Sequence, residues 1–332
     1  MTALALEHDA VVDARGVSTS HVWRGNKVHV GRVGTLDVLV FPAGGMGNVG
    51  AAQAATLAIG VWNPASIMLV GVAAGMQDTG EDLRRGDVIV PTQIIGYELG
   101  KIRPEGFERR YEVMQSSWEL LQTARGLEAK DWALSVTAPR PDGQNGRVIP
   151  RAFFGPVYSG EKVVTDPRIV EELQTAWGHQ GIGLEMESFG VALAAWRGGP
   201  GFLMAKAIMD FADPGKDDAW KVYAAESAAR FAIAVLKNTS IDSEPDRPQA
   251  IPIASPQRFS GQIKVAFCRR LADSWKDLAD LFEVSPYERG RFERGDEARS
   301  LWEWLEVREK LPALLKVLLA IERKDLADLM KN

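Results

Sequence analysis

The sequence predicts an α/β domain with a mixed or parallel sheet covered on both faces by helices, followed by a small all-α bundle. Before residue 240 the 332-residue chain alternates glycine-punctuated apolar runs with helical stretches, as strands joined by crossover helices do. Beyond residue 258, apolar residues recur at spacings of three and four. Four prolines among Ser, Asp and Gln separate these parts. We therefore predict domains over 1–239 and 259–332 with a linker at 240–258.

The strands of the first part are predicted from continuous apolar runs. A strand over 36–41 leads through a glycine turn into an alanine-rich helix, and "SIMLVGVAAGM" is a second buried strand ending in small residues. A third strand follows the tight turn at Gly86-Asp87, a fourth spans 157–164, and "FLMAKAIMD" is a later one. In such sheets ligands bind at the strand ends.

Composition excludes several classes of protein. The net charge of −5 gives no basic footprint, so we expect no nucleic-acid or membrane partner. Cys268 is the single cysteine, which excludes an intrachain disulfide and favours a reducing compartment. The N-terminal apolar run is too short for a signal peptide, and no window approaches the roughly 20 apolar residues of a membrane span. We predict a cytoplasmic protein.

Three segments stand out as candidates for chemistry: "GVAAGM" at 71–76, "GLEMESFG" at 183–190 and "AKAIMDFAD" at 205–213. Asp210 ends a buried strand, where an acid caps the next helix, closes an Asx turn or serves as a general acid that protonates a departing heterocycle. Glu185 and Glu187 are predicted in the first turn of a helix, where they would complement the helix dipole. A glutamate facing a pocket could instead accept hydrogen bonds from both hydroxyl groups of a ribose.

These motifs, with "GGMGNVGAAQAA", "LRRGDVIVP" and "YSGEKVV", resemble in order and spacing the purine nucleoside phosphorylase and methylthioadenosine/S-adenosylhomocysteine nucleosidase superfamily over residues 1–238. The resemblance implies an α/β/α sandwich with a central twisted mixed sheet, and cleavage of an N-glycosidic bond. By position, Met186 and Glu187 would lie against the ribose, and Asp210 would protonate the purine. Val163 and Val164 would flank the base.

The same resemblance implies a water-activating carboxylate in the N-terminal segment "ALEHDA". The register favours Asp9, with Glu7 as the alternative. An Asp in place of the family's usual Glu would shorten the reach of this group.

The choice of nucleophile depends on departures from the family pattern. Val72, beside Ala73 in the glycine loop, stands where phosphorylases place a hydroxyl, and Met209 replaces a serine before the acid. Lys206 replaces an arginine, which leaves one cation without a bidentate fork. We therefore favour water over phosphate as the nucleophile.

The segment 97–110 adds four cations that a nucleoside does not require: Lys101, Arg103, Arg109 and Arg110. They would suit a phosphorylated substrate, and the alternative is a solvated charged loop.

The C-terminal part, through "FERGDE" and "WEWL", resembles the death-like effector-associated domains of bacterial signalling and conflict systems. Such domains imply docking onto a protein that carries a related bundle, or onto copies of themselves; the alternative is an appendage that stabilises the enzyme. Trp302 and Trp304 are two apart and cannot face the same way on a helix. We expect one in the core and the other partly exposed.

Taken together, the sequence predicts an N-glycosidase for a purine nucleoside or nucleotide that works without metal or cofactor, as an assembly-controlled effector. A homodimer or higher oligomer is expected from the family. The alternatives are a phosphate-dependent phosphorylase and a nucleoside-binding sensor without turnover.

Overall fold

The computed structural model describes residues 1–16, 19–77, 79–213, 218–239, 259, 261–308, 310–321 and 323–330. The chain divides into two compact units, Met1–Ala250 and Ile251–Asn332. The predicted linker at 240–258 lies outside the described residues, so its character stays a prediction.

The first unit contains a mixed sheet of six strands. Neighbouring strands follow the order β11 (Gly201–Asp210), β4 (Ser66–Gly75), β10 (Gly183–Glu185), β9 (Ala152–Ser159), β5 (Val88–Gly96) and β8 (Glu112–Gln115). Strand β5 also pairs with β11, so five of the strands form a closed circuit. The pairs β4–β11, β5–β9 and β9–β10 are parallel, whereas β4–β10, β5–β8 and β5–β11 are antiparallel.

The described part of the first unit also contains two smaller antiparallel sheets. The first has three strands, β1 (Thr19–Trp23), β2 (Asn26–Val33) and β3 (Leu36–Val40). The second is the hairpin of β6 (Gly100–Arg103) and β7 (Gly106–Arg109). The predicted strand at 36–41 is therefore real, but it belongs to the first of these small sheets.

Helices cover both faces of the central sheet, as predicted. Along β11, Leu203, Ala205 and Ala207 pack in one core with α7, whereas Phe202 and Met204 pack in a second core with α2 and α6. Successive strand residues point to opposite faces, so the two cores lie on opposite sides. The helices are α1 (Ala5–Arg15), α2 (Asn48–Trp62), α3 (Trp118–Arg125), α4 (Ala129–Trp132), α5 (Pro167–Ala176), α6 (Ser188–Gly198) and α7 (Lys221–Asn238), with short 3₁₀ turns at Ala133–Ser135 and Asp218–Trp220.

Two predicted boundaries are wrong in ways that affect the site. The fourth strand ends at Ser159, so 160–165 is a loop in which Val163 and Val164 are placed beside a cavity. The helix predicted to hold Glu185 and Glu187 begins at Ser188: Glu185 ends β10, and Glu187 is the residue preceding the helix. Three-residue strands such as β10 carry too few residues for a period to be recognised.

In its described residues, the second unit is a helical bundle around one apolar core. Trp302 is 1% exposed at its centre, while Trp304 is partly buried, which confirms the expected difference. Leu281, although apolar, is 51% exposed. The helices are α8 (Gly261–Leu271), α9 (Trp275–Leu281), α10 (Pro286–Arg289), α11 (Glu297–Val307), α12 (Leu311–Ala320) and α13 (Lys324–Leu329), with a 3₁₀ turn at Ala272–Ser274.

Within the described ranges, no helix has both the length and the apolar character that a membrane crossing requires.

Candidate active site

A cavity of about 230 Å³ opens where β4, β10 and β11 end. This is the edge at which sheets of this class bind ligands. Most residues singled out from the sequence line this one cavity: Glu7, Val72, Ala73, Val163, Val164, Met186, Glu187, Lys206 and Asp210.

Glu187 is held by contacts from two distant parts of the chain. The residue is 3% exposed, and its Oε1 accepts a hydrogen bond of 3.1 Å from the backbone N–H of Gly47. Its Oε2 lies 2.5 Å from Lys206 Nζ. Each carboxylate oxygen has two lone pairs, so acceptor capacity remains for two hydroxyl groups of a ligand.

Glu185, two residues earlier, has a structural role that the sequence did not reveal. Its carboxylate accepts hydrogen bonds from the backbone N–H groups of Glu187 and Ser188, at 3.0 and 2.9 Å, and from the Ser188 hydroxyl at 2.6 Å. These N–H groups open α6 and have no partner within the helix. Glu185 therefore fixes the start of α6 and, with it, the backbone that carries Glu187.

Lys206 is the electrostatic centre of the site. It is 2% exposed on β11, and its Nζ lies 2.9 Å from Glu185 Oε2 as well as 2.5 Å from Glu187 Oε2. Burial alone would lower the pKa of Lys206, but the two carboxylates outweigh burial and raise its pKa above the ordinary value. Lys206 is therefore protonated and forms ion pairs with both acids. The sequence showed only that a lysine replaces an arginine here and did not predict these two ion pairs.

Glu7 reaches the cavity from α1. Its Oε2 accepts from the backbone N–H groups of Ala3 and Leu4, at 2.8 and 2.9 Å, and its Oε1 accepts from Val72 N–H at 2.9 Å. It is 2% exposed. Burial raises the pKa of Glu7, opposed by Lys206 and by these backbone donors. A carboxylate with an elevated pKa is suited to accepting a proton.

The geometry corrects the sequence preference for Asp9. Asp9 is exposed on α1, and the described lining of the cavity includes Glu7 rather than Asp9. Residues two apart on an α-helix point to different sides, so only one of the two acids can face the sheet.

Asp210 lies at the end of β11 and is 4% exposed. Its Oδ1 accepts a hydrogen bond of 3.1 Å from Ala212 N–H, which is a contact of the Asx-turn kind. Ala212 has a φ of 54°, unusual for a residue with a side chain. The turn and the cavity are compatible, because the bond orients the carboxyl while the residue still lines the cavity.

The cationic segment 97–110 contains the hairpin β6–β7, and two of its four cations are bound in ion pairs. Arg109 forms a bidentate ion pair with Glu172 at 2.8 and 3.2 Å, and Arg103 pairs with Glu108. Lys101 and Arg110 are exposed. The described lining of this cavity contains none of these four cations, whereas Arg109 lines a neighbouring cavity that shares Val163 and Val164 with it.

Two other lysines line the cavity, and the sequence reasoning missed both. Lys162 lies in the loop after β9, with its Nζ 2.8 Å from Glu98, and Lys221 starts α7, with its Nζ 2.9 Å from Asp218. The signal for Lys162 was present in "SGEKVV", directly before the two valines. Lys221 follows Asp210 by eleven positions, and only the return of α7 onto the sheet brings it to the cavity.

Comparison with known proteins identifies both units. Residues 2–241 match the model of the phosphorylase superfamily, and residues 261–332 match that of bacterial death-like domain 3.

Relatives of the first unit are named nucleosidases. ATP nucleosidase Cap17 from Escherichia coli is 26% identical over 208 residues, which is 59% of this chain and 40% of that protein. The chain thus spans less than half of that relative's length. A 5'-methylthioadenosine/S-adenosylhomocysteine nucleosidase from Haemophilus ducreyi is 25% identical over 232 residues, or 65% of this chain and 87% of that one.

The fold agrees with a solved structure. The 5'-methylthioadenosine/S-adenosylhomocysteine nucleosidase from Neisseria meningitidis, in complex with methylthio-immucillin-A, superposes with a TM-score of 0.57 at 18% identity, covering 72% of this chain and 97% of that chain. This likeness confirms the predicted α/β fold with a mixed central sheet. Since the superfamily model covers most of the chain and the cavity lies at the expected sheet edge, the protein belongs to the phosphorylase superfamily.

Proposed function

We propose that this protein hydrolyses the N-glycosidic bond of a purine nucleoside or nucleotide. The observation that supports it best is the convergence of three buried carboxyl groups, Glu7, Glu187 and Asp210, on one cavity. Cleavage of a base from a sugar needs a proton for the leaving base, stabilisation of a cationic sugar and a nucleophile. One acid serves each requirement.

Each role follows from the position of the group. Asp210, at the end of β11, donates a proton to the purine as the bond to the sugar breaks. Glu187 accepts hydrogen bonds from the ribose hydroxyls beside Met186, and its charge favours the developing oxocarbenium ion. Val163 and Val164 flank the base. Glu7, whose pKa is raised by burial, takes a proton from the attacking water.

Water is favoured over phosphate because the two groups best placed to hold an anion beside Glu7, the Lys206 ammonium and the N–H of Val72, are already bound to carboxylates. Lys206 is already shared by Glu185 and Glu187. The N–H of Val72, a natural donor to phosphate, donates to Glu7 instead. A phosphate in this position would therefore meet a carboxylate rather than a donor.

A nucleotide is favoured over a nucleoside by Lys162 and Lys221. Both line the cavity, and both are held only by partly exposed ion pairs, which contribute little to stability. A phosphate chain on the sugar could draw either ammonium group away from its present partner. The named activity of the Escherichia coli relative, an ATP nucleosidase, points in the same direction.

The death-like domain suggests that assembly controls this activity. Domains of this kind would dock onto a partner with a related bundle or onto further copies of the chain, and an effector role in bacterial defence would fit such a switch. The ring of Trp304 is not available as an apolar contact surface. Its Nε1–H donates to Glu288 at 3.0 Å, and Arg308 and Lys310 lie over the ring. Recognition through this surface would therefore be largely electrostatic.

The decisive experiment follows release of free base by chromatography. The full chain is incubated with adenosine, methylthioadenosine, AMP, ATP, inosine and guanosine, with and without inorganic phosphate. Each reaction is repeated with the chain fused at its C-terminus to an inducible dimerising domain. We expect release of free base without added phosphate, and the rate should be greatest for a purine nucleotide. Dimerisation of the fused chain should increase this rate.

Other outcomes identify the alternatives. A requirement for phosphate, with a sugar 1-phosphate as product, would assign a phosphorylase. Tight nucleoside binding without base release, clustered or not, would assign a sensor and contradict the proposed hydrolysis.

A further inference from the structure

The side chain of Asn48 joins three segments that meet at the cavity. Its Nδ2–H donates to the carbonyl of Gly160 at 3.1 Å. Its Oδ1 accepts from the Ser159 hydroxyl at 3.0 Å and from the backbone N–H of Gly190 at 2.8 Å. These partners are 111, 112 and 142 residues away in sequence. A single amide group thus connects the start of α2, the end of β9 and the first turn of α6.

Each connected segment carries a group that the proposed reaction uses. The residue before Asn48 is Gly47, whose N–H donates to Glu187 Oε1. The loop after Gly160 carries Val163 and Val164. The first turn of α6 follows Glu187 directly. The relative positions of the sugar-binding acid and the base-binding loop therefore depend on this side chain.

Asn48 does not have the usual role of an asparagine near a helix start. It is the first residue of α2, and the preceding Gly47 occupies the cap position without a side-chain cap. Its amide points away from its own helix, toward the end of β9 and the start of α6. The backbones of α2 and α6 can approach closely here because residue 190 is glycine. A Cβ at that position would lie 2.1 Å from the backbone carbonyl oxygen of Asn48.

A second contact supports the same connection. The Oε1 of Glu161 accepts from Val49 N–H at 3.2 Å, so the loop after β9 touches α2 at two successive residues. Glu161 is exposed, which makes this contact the weaker of the two. Asn48 is partly buried and makes three bonds.

We propose that Asn48 is a positioning residue for glycosidic cleavage, which sets the distance between the ribose-binding Glu187 and the base-binding loop 160–165. This inference rests on the proposed function. A displacement of about 1 Å between binding groups can reduce the rate by about 100-fold, even when the displaced groups are intact. Loss of the Asn48 amide should therefore reduce kcat/KM without removing a catalytic group.

The test compares Asn48→Leu and Asn48→Asp with a matched control, Gln174→Leu. Gln174 is also a linking amide: it donates to the carbonyls of Gln77 and Gly181 and accepts from Gly181 N–H, but it lies away from the described cavity lining. All three full-length variants are assayed for base release from ATP and adenosine. Their amide hydrogen exchange and unfolding midpoints are measured in parallel.

We expect Asn48→Leu to reduce kcat/KM by about 100-fold, and to speed exchange at the amides of 189 and 190. These amides have no partner within α6. Gly190 N–H donates to Asn48 itself, and Phe189 N–H donates to the Ser159 hydroxyl, which in turn donates to Asn48. Asn48→Asp keeps the acceptor contacts to Ser159 and Gly190, so it should loosen only the loop 160–165. Gln174→Leu should lower stability yet leave kcat/KM of the folded protein within about twofold, as expected away from the site.

The two proposals fail separately. If the wild type releases no base from any purine substrate, the proposed function is wrong, and the exchange data alone decide whether Asn48 orders these segments. Wild-type exchange and kinetics in Asn48→Leu would overturn the inference. So would losses of activity in Asn48→Leu and Gln174→Leu that merely follow their losses of stability.

Discussion

The carboxylate of Glu7 occupies the space in which a side chain at residue 71 would stand. An ideal Cβ on Gly71 would lie 2.3 Å from Glu7 Oε1 and 2.5 Å from its Cδ. The glycine in "GVAAGM" thus lets a helix-borne acid lie against β4 and receive the N–H of Val72. The motif has a direct physical use at this position.

Gly71→Ala should therefore reduce hydrolysis by displacing Glu7. We expect kcat to fall by about 100-fold, the contribution typical of a lost general base. Gly60→Ala is the control, because Gly60 lies in α2 with no atom within 4 Å of the added Cβ. Base release per folded protein measures both. Equal activity in the two variants would remove Glu7 from the mechanism.

Asp210→Asn should leave the fold intact and abolish proton donation to the base. The expected loss in kcat is about 100- to 10,000-fold. Glu187→Gln, in contrast, should raise KM as well, because it changes the group proposed to hold the ribose. Steady-state kinetics on the best substrate separates the two effects. An unchanged rate in Asp210→Asn would show that another group protonates the leaving base.

Substitution of both Lys162 and Lys221 by alanine should discriminate against phosphorylated substrates. We expect KM for ATP to rise by at least about 10-fold, because each of the two charged contacts contributes roughly 1.5 to 3 kcal/mol and the released ion pairs offset only about 1 kcal/mol each. KM for adenosine should not change. Lys101→Ala, in the exposed hairpin, is the control. Equal effects on ATP and adenosine would argue against a phosphate-binding role.

Lys206→Met should be strongly destabilising. It leaves two buried carboxylates without their cation, and breaking a buried pair in this way costs about 3 to 5 kcal/mol in the free energy of unfolding. Arg32→Ala removes an ion pair of similar length, 2.8 Å to Asp37, whose side chains are 72% and 78% exposed. Urea denaturation should detect little change there. Similar losses in both variants would contradict a role for burial.

Stability should fall as the pH drops from about 6.5 toward 4, in part through His8. His8 Nε2 and His29 Nδ1 are 2.8 Å apart, and burial lowers the pKa of His8 from 6.5 to about 4. In this window the unfolded chain binds a proton that the folded chain does not, so stability rises with pH. Neighbouring charges are the N-terminal amine, Asp9, Lys27 and Arg15.

His8→Gln should therefore make the pH dependence of the urea midpoint shallower between about pH 6.5 and 4. His21→Gln, at an exposed position of β1, should leave the slope as in the wild type. The buried N-terminal amine, whose pKa is lowered to about 5, contributes equally in all variants. A wild-type slope in His8→Gln would assign the acid sensitivity to that amine or to another group.

Much of this organisation could be predicted from the sequence because it depends on local patterns. Continuous apolar runs identified β4 and β11, and helical spacing identified the C-terminal bundle. The short strands β6, β7, β8 and β10 were missed, since three or four residues carry no recognisable period. The order of the motifs identified Asp210 and Glu187 as candidates. Both lie at or within two residues of a strand end, so a local sequence pattern was enough to locate them.

The tertiary structure decided the contacts between segments far apart in the chain. Glu7 rather than Asp9 faces β4 because each helical residue turns the side chain by about 100°, a rotation that a motif alone does not fix. Lys206 became the shared partner of two acids, and Asn48 the link between three segments, through the register of the sheet and the packing of α2 on α6. Sequence thus determined which chemical groups are present, whereas side-chain direction and strand register determined which of them meet.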